Sequence, residues 1–196
     1  MLSGRSVNLN ALSLKHVIPS SSGNKVYAVT SLGDEVFVIR HNSHKVEVYD
    51  AGTLSLQSSI TVPGLGQCVY GLIACVSNRC LYVSDWYNSS IHRADLRGSN
   101  AVMKWSLADF PAGLSLNRAH NVVVVCINAN KLQEYTTDGS LVREIFLQAG
   151  VMSPRHAVQL STGDYVVSQY RSPGVVSVVG ADGQVCLLYT SDAADE

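Results

Sequence analysis

The stretch CLYVSDWYNSSIHRADLRG at residues 80–98 contains two short β-forming runs, separated by a polar break and followed by a turn with Gly98. The same plan recurs in EVFVIRHNSHKVEVYDAG (35–52), NVVVVCINANKLQEYTTDG (121–139) and DYVVSQYRSPGVVSVVGADG (164–183). The four copies begin at residues 35, 80, 121 and 164, so the chain repeats with a period of roughly 40 to 50 residues. The stretch is therefore first of all one copy of a structural unit.

The segments around each copy supply two further strands. A short run precedes each copy, in KVYAVTSLG (25–33), VYGLIACVS (69–77), AGLSLNRAH (112–120) and RHAVQLSTG (155–163), and is predicted to be an inner strand. Outer strands are predicted in ALSLKHVIP (11–19), TLSLQSSITVP (53–63), NAVMKWSLADFP (100–111) and SLVREIFLQAG (140–150). Four short antiparallel strands per period predict an all-β fold, a partial β-propeller of about four blades.

Other architectures fit the pattern less well. No segment keeps an apolar stripe at helical spacing over three turns, which argues against helical repeats and doubly wound sheets. A seven-strand sandwich has no need for a sequence repeat. The apolar run VVVV at 122–125 fits a strand whose two faces both pack on neighbouring blades.

The sequence also resembles known propeller repeats. RHAVQLSTGDYVVSQYRSPGVVSVVGADG (155–183) resembles NHL-type repeats, and LYVSDWYNSSIHRADLRGSN (81–100) resembles the YWTD class of blade. Both families imply six blades, so the resemblance implies that about two blades of the parent propeller are absent. Residues 1–24 would be an outer closing strand and linker, and residues 25–185 an incomplete propeller domain.

The C-terminal segment is set apart from this domain. Residues 186–196, CLLYTSDAADE, resemble one reading frame of a translated sequencing adapter and are expected to be a non-native tail. With or without them the formal charge is small, which does not indicate a nucleic-acid partner, and DNA is not expected. No apolar run approaches the length of a membrane helix, and we expect a cytoplasmic protein, with an extracellular one left open.

Cysteine spacing indicates neither a zinc site nor a disulfide scaffold, and no cofactor or metal is expected. Buried free thiols are the main expectation. Cys75 and Cys80 are the exception, because they are predicted to face each other across a hairpin at a separation that a disulfide tolerates.

Strand alternation predicts where recognition takes place. The connections from second to third strands and from fourth to first strands must emerge on one face of the disc. Rigidly held loops with aromatic and arginine side chains are typical of interfaces. We therefore expect a non-catalytic scaffold that binds a protein or peptide through Arg40, His41, Trp86, Tyr87, Asn128, His156, Tyr170 and Arg171. Asp85 is expected to cap backbone N–H groups.

Two alternatives come from the resemblance. Some NHL propellers of tripartite-type ubiquitin ligases bind RNA or recognise substrates, and here Arg40, Arg155 and Arg171 would carry such a role. Some six-bladed propellers are calcium-dependent lactonases, for which Asp85, Asn128 and Asn42 are the available ligands. The sequence has no Gly-x-Ser-x-Gly elbow, and no enzyme activity is expected.

Overall fold

The computed structural model describes residues 25–98, 101–170 and 174–190. Within these ranges, sixteen strands form four antiparallel sheets of four strands each. Their bounds are β1 Val26–Leu32, β2 Glu35–Arg40, β3 Lys45–Asp50, β4 Leu56–Thr61, β5 Val69–Cys75, β6 Cys80–Asp85, β7 Ser90–Asp95, β8 Val102–Ser106, β9 Pro111–Leu116, β10 Val122–Cys126, β11 Lys131–Tyr135, β12 Leu141–Phe146, β13 Pro154–Gln159, β14 Tyr165–Gln169, β15 Val175–Val179 and β16 Val185–Thr190.

Each sheet is a meander in which consecutive strands pair, so each is one blade: β1 to β4, β5 to β8, β9 to β12, and β13 to β16. The inner strands β1, β5, β9 and β13 contact one another in that order across the blades. The predicted all-β partial propeller of four blades is confirmed. Apart from β16, the described inner and outer strands fall where the repeat predicted them.

The blades adhere through their flat faces, and the alternation of side chains explains why strand β10 is apolar throughout. Val123 and Val125 pack into the core against the fourth blade, whereas Val122 and Val124 pack into the core against the second. All five residues of β10 are buried. A strand with two buried faces needs no polar side, which is the reason for the valine run.

The two ends of the chain differ from the expectation in one respect. The predicted outer strand at 11–19 lies outside the described residues. At the other end, residues 185–190 form β16, which pairs with β15. The segment expected to be a non-native tail therefore begins inside the fourth strand of the last blade, where Val185 and the residues after it pair with β15.

The hairpin between β5 and β6 places Cys75 directly opposite Cys80 in the strand register. Both thiols are free and fully buried. The expected facing geometry is confirmed, and the pair is reduced in this structure. Burial raises the pKa of the Cys80 thiol, and a hydrogen bond with Arg93 acts in the opposite direction.

Candidate functional site at the mouth of the central channel

The four inner strands line a central channel with a cavity of about 510 Å³. Its walls are formed by residues 28–30, 70–74 and 113–116, together with His156. A cavity of this size falls in the range that holds small molecules. The channel is therefore the candidate functional site.

Two glycines allow the inner strands to approach each other closely. A Cβ atom on Gly71 would lie 2.9 Å from the carbonyl oxygen of Ala112, and one on Gly113 would lie 2.5 Å from that of Arg155. The same Gly113 Cβ would lie 2.4 Å from Nδ1 of His156. Only glycine fits at Gly113 without a shift of strand β13. The edge of the imidazole that carries Nδ1 is thus held against the backbone of Gly113.

Irregular pairing at the start of the inner strands aims further side chains at the channel mouth. The register between the inner and second strands shifts at Tyr27, at Tyr70 and at Arg155 in the first, second and fourth blades. The shift in the third blade lies opposite Ala112. A β-bulge leaves one residue unpaired and re-aims its side chain, so the same irregularity presents a different residue in each blade.

Four aromatic rings form a continuous row at this mouth. The ring centroids are 5.7 Å apart for Tyr27 and Tyr70, 6.1 Å for Tyr70 and Trp86, and 4.9 Å for Trp86 and Phe110, the last two rings being stacked. We call Tyr27, Tyr70, Trp86 and Phe110 the aromatic band. His41 extends it, with its ring centroid 5.1 Å from that of Tyr27. The band offers an apolar surface of edge-to-face and stacked rings beside the channel opening.

Arg155 lies next to the band. Its guanidinium carbon is 4.8 Å from the ring centroid of Tyr170 and 5.9 Å from that of Tyr70. These separations are within the range of cation–π attraction. The two rings therefore fix the position of a positive charge at the mouth.

His156 lines the channel and is accessible from it. The surrounding protein nevertheless desolvates the ring and lowers the pKa of His156 from its ordinary value. Within the described part of the chain, its ring has no hydrogen-bond partner. Deeper in the wall, the buried hydroxyl of Ser115 also lacks a partner among the described residues.

The two acidic side chains near the mouth are fully engaged elsewhere. Asp109 accepts hydrogen bonds of 2.7 Å from the backbone N–H groups of Phe110 and Ala129. Asp85 accepts from the N–H groups of Gly66 at 2.7 Å and Asn88 at 3.0 Å. Asp85 thus has the expected capping role, and neither carboxylate faces the channel as a free charge.

The buried carboxylate of Asp85 also lies 3.4 Å from Nε2 of His92. Burial alone would raise the pKa of Asp85. The hydrogen bonds from His92, Asn88 and the backbone of Gly66 outweigh that effect and lower it to about 2. The group is therefore charged at neutral pH and holds the second blade to the loop before it.

The structure brings together only part of the predicted site. His41, Trp86, His156 and Tyr170 lie around the mouth, where Tyr170 contacts Arg155. Tyr87 and Asn128 are exposed on loops, and no ring contact joins Tyr87 to the aromatic band among the described residues. Arg171 lies outside the described residues.

Arg40 does not lie on the predicted binding surface. Its side chain is buried and forms an ion pair of 2.9 Å with Glu47, and it also donates to the hydroxyl of Tyr49. A side chain that is already neutralised inside the first blade is a poor anchor for a partner. Tyr27, Tyr70 and Arg155 take its place at the mouth.

The described residues contain neither a cluster of metal ligands nor a helix suited to a membrane. In residues 25–98, 101–170 and 174–190, no three His, Cys, Asp or Glu side chains cluster as a metal site would require. Asp85, the calcium ligand considered first, directs its oxygens to Gly66, Asn88 and His92. None of the described residues lies in a helix that is long and apolar enough to cross a bilayer.

Solved structures with similar folds are numerous. Hydrazine synthase from Kuenenia stuttgartiensis superposes with a TM-score of 0.70 at 18% identity, over 91% of this chain and 52% of that one. A streptogramin B lyase gives 0.71 at 16% identity, over 88% and 57%. A catalytically inactive variant of virginiamycin B lyase from Staphylococcus aureus, in which one histidine is replaced by alanine, was solved with quinupristin and gives 0.69 at 14% identity, over 90% and 59%.

The chain thus spans between half and two thirds of the length of these proteins. No protein-family model and no curated protein sequence matches it. The expectation of a non-catalytic binding scaffold is corrected by the comparison, since the three similar structures named above are enzymes and give a scaffold role no support. At identities below 20%, the similarity shows a shared β-propeller fold.

Proposed function

We propose that the channel mouth is the active site of an enzyme that breaks a bond in a small organic molecule by elimination, with His156 as the base. The observation that carries the proposal is the state of His156. Its ring lines the cavity, has no hydrogen-bond partner among the described residues, and has a lowered pKa. A neutral imidazole with an open nitrogen is what a general base requires at neutral pH.

The geometry assigns the two ring nitrogens different roles. Nδ1 lies against the backbone of Gly113, so Nε2 is left for a bound molecule. In the elimination, Nε2 takes a proton from a carbon atom of the substrate. The C–H electron pair forms a carbon–carbon double bond, and the leaving group departs with the electrons of its own bond.

The aromatic band would hold the substrate during this step. Rings in edge-to-face and stacked contact beside a cavity can hold an apolar group and orient it toward the wall where His156 lies. The similar lyases support the choice of reaction class, and the inactive variant of one of them shows that a histidine is needed in that protein.

The test uses the full chain and quinupristin, the compound bound to the similar lyase. We expect turnover, followed by mass spectrometry, and a loss of about 10²- to 10⁴-fold in His156→Asn, which is the usual contribution of a general base. The acid limb of kcat/KM should fall at a pH below 6.5, because desolvation lowers the pKa of His156.

The matched control is His120→Asn. His120 lies on the opposite face, in the loop between β9 and β10, with a φ of 63° that asparagine tolerates well. Its activity should stay within about twofold of the original chain, as expected for a distant surface site. Unchanged quinupristin after long incubation, or equal turnover by His156→Asn, would contradict the proposal.

A further inference from the structure

We infer that Arg155 forms an anion subsite beside the aromatic band, and that this subsite binds a carboxylate joined to a flat apolar group. This inference rests on the proposed function in locating the ligand, and it adds the class of molecule. Its basis is the environment of a single guanidinium group.

No described side chain forms an ion pair with Arg155. The four ion pairs in the described part of the chain all join other residues. Asp85 and Asp109 already accept hydrogen bonds from backbone N–H groups. A cation that is partly withdrawn from water and has no counter-ion attracts an anionic ligand.

The guanidinium is also held in place before any ligand arrives. The rings of Tyr70 and Tyr170 lie 5.9 Å and 4.8 Å from its carbon, and Nε is buried on the protein side. A ligand therefore meets the terminal nitrogens of the guanidinium. A carboxylate that accepted from both of them would neutralise the charge through a bidentate contact.

The neighbouring side chains decide what carries the carboxylate. Tyr70 contacts both Arg155 and Trp86, so the anion subsite and the aromatic band share one ring. Phe110 continues the surface on the far side of Trp86. An arylacetate-like molecule would place its charged end at Arg155 and its ring on the band, with the carbon between them facing the channel.

The experiment compares 1-naphthylacetate with its uncharged amide, which has nearly the same shape, by isothermal titration with the full chain. We expect the carboxylate to bind about tenfold more tightly than the amide, the size of one charge-assisted contact. Arg155→Gln should abolish the difference. The control Arg79→Gln changes an exposed arginine of the β5–β6 hairpin on the opposite face and should preserve it.

Equal affinity for the two probes, absence of binding by either, or an unchanged preference in Arg155→Gln would overturn the inference. Failure of the proposed function looks different. In that case Arg155 would still set the preference for the carboxylate, while His156→Asn would bind both probes as the original chain does and would turn over quinupristin equally well.

Discussion

Replacement of Asp85 by asparagine should cost the protein much of its stability at neutral pH. The carboxylate is fully buried and accepts from Gly66 and Asn88 while it faces His92. Asparagine keeps the size but removes the charge and one acceptor. The pKa of Asp85 falls from 3.8 to about 2 on folding, and such a shift corresponds to about 2–3 kcal/mol of stability at pH 7.

The sign of the pH dependence follows from the direction of that shift. Because the folded state holds the pKa of Asp85 below the unfolded value, the contribution is complete above the unfolded pKa of 3.8. It is lost as the pH falls through the folded pKa of about 2. The original chain should therefore lose stability between pH 5 and pH 2 more steeply than Asp85→Asn does.

Urea denaturation followed by the fluorescence of Trp86 and Trp105 measures this at pH 7 and at pH 2. Asp34→Asn is the control, since Asp34 is an exposed residue of the β1–β2 turn. The reasoning fails if Asp85→Asn and Asp34→Asn have the same unfolding midpoint at pH 7. It also fails if the gap between Asp85→Asn and the original chain is as large at pH 2 as at pH 7.

Two further outcomes follow from the packing of the blades. Gly113→Ala should lower stability by about 1–3 kcal/mol, the usual cost of overpacking, because the new Cβ would lie 2.5 Å from the carbonyl oxygen of Arg155. Thermal denaturation measures the loss. The control is Gly150→Ala, since nothing lies within 4 Å of a Cβ there. A thiol reagent at pH 8 should modify the exposed Cys186 within minutes. It should modify the buried Cys75, Cys80 and Cys126 only as fast as the chain opens, and burial also raises the pKa of Cys126 to about 12. Peptide mapping that found Cys126 modified as fast as Cys186 would contradict this.

The blades were predictable from the sequence because a propeller blade has a local signature. Strand length, the glycine and asparagine turns and the four-fold repeat are all visible along the chain, and every described inner and outer strand except β16 falls on its predicted run. The valine run at 122–125 also predicted burial on both faces, which the structure confirms. Each of these properties depends on neighbours within about 45 residues.

The site was only partly predictable, because its residues meet through irregularities that the repeat does not show. The bulges that direct Tyr27, Tyr70 and Arg155 to the mouth follow no turn signal. Arg40 was assigned to the surface by its place at a strand end. Its ion pair with Glu47 of β3 instead holds the side chain inside the first blade.

The residues at the ends of the second strands have structural roles. The last residue of each second strand differs between blades, and two of the four have the same task. Asp85 accepts from the backbone N–H of Gly66, and Gln169 accepts from that of Met152 at 2.7 Å. Arg40 instead donates to Glu47, and Cys126 donates to Gln133, so all four side chains are held by hydrogen bonds within the protein.

The inner-strand positions vary in another way. Where His156 stands in the fourth blade, the earlier blades have Ala28, Gly71 and Gly113, none of which has a polar side chain. Small residues at three positions let the inner strands approach, and the one imidazole then projects into the space that they leave. The four blades are nearly alike, but in the proposed site only the fourth blade carries both the cation, Arg155, and the base, His156.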